Sequence, residues 1–364
     1  LKRKLLNIIR RIGIVFMAIA YKRFRNPPKP NLGSIHKVLI IPHDPIGDMV
    51  LTLPMLKVLR LRNPALRIGI VASRRNKDVL QAEAVDAVYD FYSPGIVRIF
   101  REILRARQEG WDVVLATAGF YKPTRFAFIS RVVAGVGITA TMNSARQKRY
   151  ARIYSYCFLR PAPTDNVPMV DQYLSLVENV FNIEVSPEER IPEFHISPEI
   201  RNQITAEIPS LLLQHKASKY AVVNMEAKVP YREWGIENVN QLAERLRANG
   251  ENTLLFLIAS RNFLEYYAGE LAKVSASNVA VFETETIQHV AALISGAEFV
   301  ISPDTAIVHI ASALIKKMIV FYPAPDEWLP YDRTSIILYP ERREPISTIS
   351  VDTVFSHIQS LLRS

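Results

Sequence analysis

The stretch from residue 292 to 322 sets the strongest limit on how this chain folds. It holds two short, almost wholly apolar runs, Glu298–Ile301 and Met318–Tyr322. A Ser302-Pro303 turn and a helix-patterned segment, Thr305–Leu314, lie between them. Apolar runs without polar alternation are buried on both faces, the condition of strands in a parallel sheet covered by helices. Asp304 falls at the expected helix N-cap, straight after the Ser-Pro turn. The unpaired N–H groups of the following turn form an anion site. His309 lies about a turn and a half further in. Carboxylate and imidazole are thus expected to flank a phosphate-sized hole at the C-terminal edge of the sheet, where open α/β sheets bind ligands. A helix cap and a satisfied interior histidine would fit this stretch equally well.

A second stretch, near the other end, changes that balance. Lys37–Ile41 is a buried strand. Pro42-His43-Asp44-Pro45-Ile46-Gly47-Asp48 follows, and then a helix through Leu61. Strand, turn and helix make the first unit of a doubly wound domain. The turn is not G-x-G-x-x-G, so a dinucleotide fingerprint is absent. Gly47 is expected to let the backbone turn tightly and to aim Asp48 over the strand's C-terminal edge. Asp44 is expected to line the same edge. His43 is read as structural, because adjacent residues on an extended strand point apart.

At 364 residues, two domains are expected. Further strands are read at 67–72, 87–91 and 112–117, and again at 220–224, 253–258 and 279–282. Helices are read at 97–109, 169–181, 198–208, 236–249, 265–274, 286–294 and 351–362. Cys157 is the only cysteine, which excludes an internal disulfide and a cysteine-cluster metal site. The net charge of +10 suggests nucleic acid until it is located. Lys2, Arg3, Lys4, Arg10, Arg11, Lys22, Arg23 and Arg25 crowd residues 1–25, with no acid among them. The remainder is nearly neutral, so no nucleic-acid partner is expected. Residues 5–21 are apolar but broken by Arg10 and Arg11, and a bilayer span needs ~20 apolar residues. Basic ends around an apolar centre suit a helix lying in the headgroup layer of an anionic membrane. A signal peptide lacks its small-x-small cleavage site here. A helix packed on the body, or a disordered tail, are the remaining options. Pro27–Pro30 is read as a stiff linker.

Ile46-Gly47-Asp48-Met49-Val50-Leu51-Thr52-Leu53-Pro54 and Ser302-Pro303-Asp304-Thr305-Ala306-Ile307-Val308-His309 resemble, in this order, the two signature regions of the lipopolysaccharide heptosyltransferases, glycosyltransferase family 9. The resemblance covers about residues 36–330. It implies an α/β chain of GT-B type: two Rossmann-like α/β/α domains facing each other across a cleft, with a basic N-terminal helix. The expected division is 1–34 for the basic segment and linker, 35–185 for acceptor binding and 186–345 for nucleotide-sugar binding. Residues 346–364 form a terminal helix, with a return to the N-terminal domain as one option. The family implies inverting transfer of heptose from ADP-heptose to a lipopolysaccharide inner-core acceptor, without a metal or other cofactor. The implied partners are a nucleotide-diphosphate sugar, an anionic glycolipid and the inner-membrane surface, reached through residues 1–25. The implied location is cytoplasmic, peripheral on the inner face of that membrane.

Residue by residue, the resemblance makes Asp48 the general base and Asp304 the binder of donor-sugar hydroxyls. Thr305, Ala306 and Ile307 are the helix-start residues whose N–H groups hold the diphosphate, with His309 nearby. Arg232, two before Trp234, stands where the family has a phosphate-neutralising lysine. Ala227 and Lys228 fall at the phosphate loop, Glu265 at the acid that reads the ribose, and Lys122 at an acceptor-side lysine. Arg125, with Arg74, Arg75, Arg146, Lys148 and Arg149, suits an anionic acceptor; a run of surface charge is the equal alternative. Ala306 replaces a common glycine, and Glu226 stands where an acid would repel a diphosphate unless it points away. Two alternatives follow: a GT-B transferase using another nucleotide sugar in cell-surface glycan synthesis, and a non-catalytic membrane-attached nucleotide-binding protein.

Overall fold

A computed structural model describes residues 19, 24–80, 84–120, 123–143, 151–162, 165, 167–325, 328–332, 335–341 and 344–363. The membrane-surface helix expected over residues 1–25 lies outside them, apart from Ile19, Phe24 and Arg25. So do Lys122, Arg146, Lys148 and Arg149. The chain divides into two compact units, Leu1–Ile191 and Pro192–Ser364.

The first unit runs β1 (Lys37–Ile41), α1 (Ile46–Arg62), β2 (Arg67–Val71), β3 (Ala87–Tyr89), α2 (Ile96–Gln108), β4 (Val113–Ala116), α3 (Pro123–Ala134), β5 (Ile138–Asn143), β6 (Tyr156–Leu159) and α4 (Met169–Phe181). Its six strands are all parallel, in the order β3-β2-β1-β4-β5-β6. The apolar run that predicted β1 is its centre: Val38, Leu39, Ile40 and Ile41 are fully buried, each contributing about 1.5–3 kcal/mol. The apolar segment 132–138 is the end of one element and the start of another. Gly135, at φ 60, terminates α3, and β5 begins at Ile138. The proline linker is tied to the body, because the N–H of Asn26 donates to the carbonyl of Ser155 at 3.0 Å and the Tyr156 hydroxyl donates to the carbonyl of Pro27.

The second unit runs α5 (Pro198–Gln214), β7 (Lys219–Asn224), α6 (Ile236–Ala248), β8 (Thr253–Ile258), α7 (Arg261–Tyr266), α8 (Ala268–Leu271), β9 (Val279–Val281), α9 (Ile287–Ser295), β10 (Val300–Pro303), α10 (Ala306–Ala313), β11 (Met318–Phe321), β12 (Ile336–Leu338) and α11 (Val351–Arg363). These strands are also all parallel, ordered β12-β11-β10-β7-β8-β9. The single helix expected at 265–274 is two short ones. The terminal helix packs on the second unit. Its apolar stripe, Val354, Phe355, Ile358 and Leu361, joins the core of the second unit with Leu242, Leu246, Leu255 and Phe321, as the 3.6-residue spacing of those positions allows.

Each sheet reverses its winding direction once, between β1 and β4 in the first unit and between β7 and β10 in the second. Loops after those strands diverge and leave a crevice at the C-terminal edge. Most of the candidate residues sit on those loops or on the helices that follow them, while Glu265 follows β8. Among the described residues no helix is long and apolar enough to cross a membrane.

Candidate active site

In the first unit the chain turns at Pro42–Pro45, and α1 begins at Ile46. Gly47 and Asp48 therefore lie inside the first helical turn, and the tight turn expected at Gly47 is made by the residues before it. The position still suits a carboxylate, since the helix N-terminus carries partial positive charge. Asp48 is 4% exposed. The Tyr173 hydroxyl on α4 donates to its Oδ1 at 2.6 Å, and His43 Nδ1 stands 3.5 Å from its Oδ2. His43 was expected to be structural. The turn swings it back over the helix start, so the opposed directions of neighbouring strand residues do not apply.

Asp44 is held by its backbone, whose carbonyl accepts from Asn76 Nδ2 at 2.8 Å. Burial pushes the Tyr92 phenol well above its ordinary value, and the carboxylates of Asp44 and Asp48 push the same way. Arg125 opposes them. That guanidinium donates to the carbonyl of Phe91 at 2.5 Å. Asp44, Asp48, Tyr92 and Arg125 thus share one electrostatic neighbourhood at the first crevice. Neither Tyr92 nor Tyr173 was singled out from sequence, because a tyrosine on an apolar helix or in a loop carries no distinguishing spacing. The loop after β4 passes closely over the sheet: a Cβ on Gly119 would stand 2.6 Å from Thr141 Oγ1, so only glycine fits there.

In the second unit, Asn224 ends β7 beside β10. Its Nδ2 donates to Ser302 Oγ at 3.1 Å and to Thr305 Oγ1 at 3.0 Å. Thr305, not Asp304, is the N-cap of α10: its Oγ1 accepts from the N–H of Ile307 at 3.3 Å. The Val308 N–H donates to the Thr305 carbonyl. The donors expected to face an anion here therefore narrow to the N–H groups of Thr305 and Ala306. Asp304 turns instead to Arg232, whose Nη1 donates to its Oδ2 at 2.8 Å. Cation and acid, carried on two different loops, are brought together as one half-buried pair.

His309 is buried on α10, its ring edge-on to Trp328 with centroids 6.4 Å apart. Lys228 is exposed. The N–H of Ala227 donates to the Glu233 carboxylate. Glu226 is turned away from the α10 start, its Oε2 accepting from the N–H of Ser260 at 2.7 Å, at the cap of α7. The acid that was expected to repel a phosphate unless it pointed away does point away. Glu265 lies on the exposed side of α7, paired with Arg261 at 3.2 Å. A cavity of about 350 Å³ opens beside Trp234 and the start of α6, lined also by Tyr267 and Glu270. It is not lined by Arg232, Asp304 or Thr305.

The sequence profile of glycosyltransferase family 9 (heptosyltransferase) matches residues 98–355, well over half of the chain. The chain belongs to glycosyltransferase family 9. Solved structures agree on the fold. A family 9 glycosyltransferase from Veillonella parvula superposes with a TM-score of 0.77 at 17% identity, covering 92% of this chain and 99% of that one. The E. coli ADP-heptose lipopolysaccharide heptosyltransferase II gives 0.69 at 17% identity, with 90% and 98% covered. E. coli heptosyltransferase WaaC, solved with ADP, gives 0.66 at 20% identity, again with 90% and 98% covered. No match was found among curated proteins by sequence. Two parallel six-stranded sheets with flanking helices are the α/β architecture of these GT-B heptosyltransferases.

Proposed function

We propose that this family 9 protein transfers heptose from ADP-heptose to a hydroxyl of a lipopolysaccharide inner-core acceptor, with inversion and without a metal. The observation that carries the reading is the buried Asp48, held at one oxygen by Tyr173 and approached at the other by His43. Asp48 takes the proton of the acceptor hydroxyl as that oxygen bonds to the anomeric carbon. The bond from that carbon to the β-phosphate oxygen breaks, and its electron pair leaves with ADP. Asp44 and Arg125 bind the anionic acceptor beside the base, with Lys122 adding positive charge.

On the donor side, Arg232, Lys228 and the N–H groups of Thr305 and Ala306 take up the charge that develops on the diphosphate. Arg232 offers a permanently charged fork, and its present partner Asp304 accepts from the heptose hydroxyls. His309 sets the packing of α10 behind those N–H groups. Glu265 reads the ribose; its exposed pairing with Arg261 is weak enough to yield to a hydroxyl. Residues 1–25 rest on the inner face of the inner membrane.

The test is Asp48→Asn, assayed for transfer and for ADP binding. Transfer is expected to fall roughly 10²–10⁴-fold, the share of a general base, with ADP affinity nearly unchanged. Turnover near the parental rate would remove Asp48 from the role. A second reading, another nucleotide sugar as donor, is favoured by the methyl group that Ala306 adds at the diphosphate turn. Thermal shifts with ADP, UDP, GDP and CMP separate the two, since the preferred nucleotide stabilises by mass action.

A further inference from the structure

Helix α2 is not covered like its neighbours. Ala106 is its one buried residue, and Ile103 packs partly on the core. Ile96, Val97 and Phe100 are 84%, 70% and 60% exposed, and Leu104 is exposed behind them. At 100° per residue, Ile96, Phe100, Leu104 and Val97 fall within about one quadrant, beside the buried stripe. Arg98, Arg101 and Arg105 occupy the flank beyond that quadrant. On the adjacent α3, Phe128 is exposed one turn before Val132, the residue whose carbonyl accepts from Arg107. A soluble helix normally turns its apolar stripe inward. Here the stripe is broad enough to serve the core with one half and to face outward with the other.

We propose that the N-terminal half of α2 is a lipid-contact surface, seating Ile96, Val97 and Phe100 among the headgroups of an anionic phospholipid bilayer. Four arginines against one acid, Glu102, give the helix the charge that such a surface attracts. Arg101 is exposed, and Arg98 sits near Asp90 at 3.5 Å while remaining half exposed. Large apolar side chains beside a basic flank are the composition of helices that lie in the headgroup layer. A second copy of the chain fits less well, because a two-fold contact through this face sets like-charged arginine rows together. Placement gives the surface a use. Tyr92, four residues ahead of the helix, donates its hydroxyl to the carbonyl of Pro42 in the turn that carries Asp44 and leads to Asp48. A glycolipid whose acyl chains stay in the bilayer would thus meet the first unit beside its carboxylates. The proposal concerns residues outside 1–25 and holds whatever sugar is transferred.

The experiment uses the full chain and sedimentation with vesicles of phosphatidylethanolamine and phosphatidylglycerol, against vesicles of phosphatidylcholine. Val97→Glu combined with Phe100→Glu is expected to lower partition onto the anionic vesicles about tenfold or more, with an unchanged melting temperature, since both side chains are already exposed. Partition equal to the parent's overturns the proposal. A local readout separates this surface from residues 1–25: V97C in a C157S background carries an environment-sensitive fluorophore. Its emission is expected to shift to the blue on anionic vesicles only. An unshifted probe overturns the proposal, and so does a parental dimer that the double substitution converts to monomer.

Discussion

The Tyr173 hydroxyl and Asp48 Oδ1, on helices far apart in the chain, stand 2.6 Å from each other in a buried layer between α4 and α1. A hydrogen bond to an ionised group contributes about 1.5–3 kcal/mol. Tyr173→Phe is expected to lower kcat about tenfold, because a loosened carboxylate loses its aim, and to leave the donor KM unchanged. Steady-state kinetics with the donor varied checks this; an unaltered kcat would make the contact purely structural.

His43 reaches the second oxygen of the same carboxylate. His43→Ala is expected to reduce kcat roughly threefold to tenfold, less than loss of the base itself. Combined with Tyr173→Phe, the losses should fall short of the product of the two, since both act through Asp48. Fully multiplicative losses would show that His43 works elsewhere.

Arg232 and Asp304 neutralise each other across two loops. Arg232→Ala is expected to weaken ADP binding about ten- to a hundredfold, measured by calorimetry, as it removes a phosphate cation and leaves an acid facing the site. Asp304→Asn should spare ADP affinity while raising the KM for the nucleotide sugar. Additive free energies in the double variant would argue against the pairing in solution.

The Glu233 carboxyl is held above its ordinary value by burial, with the charge of Glu226 adding to the effect. The Tyr267 hydroxyl, 3.0 Å away, and the Ala227 N–H oppose it. A carboxyl raised on folding holds its proton more tightly in the native chain. Its contribution to stability is present below the unfolded value of 4.5 and lost as pH rises through the native one. Glu233→Gln removes that dependence. The melting temperature of the variant, relative to the parent, should therefore climb between about pH 4 and neutrality; a difference that stays flat would contradict the buried-acid account.

The fold was legible wherever apolar runs were continuous. β1, β7, β10 and β11 are buried on both faces, and their sequences say so without help from the rest of the chain. β5 and β6 were not, because buried hydroxyls lie within or beside them, and β12 is only three residues long. Thr139 and Ser155 serve the buried Arg131 guanidinium at 2.6 and 2.9 Å, so these segments carry hydroxyls where an aliphatic residue would announce a strand. Asp48 and Asp304 were singled out from motif and spacing, and Arg232 from the family resemblance. Their partners were harder to find. Tyr173 comes from a helix whose pattern predicts only packing, and the cap role passed from Asp304 to Thr305 because Arg232 claims the aspartate.

Trp234, two residues after Arg232, is buried against Phe321 with ring centroids 5.1 Å apart. Its Nε1 donates to the carbonyl of Ile349 at 2.8 Å. Asn238 donates to the carbonyl of Ser347 at 2.9 Å. The backbone ahead of α11 thus acts as a buttress for the guanidinium. Alterations in that stretch should register first as impaired nucleotide capture, at temperatures where the rest of the molecule is still intact.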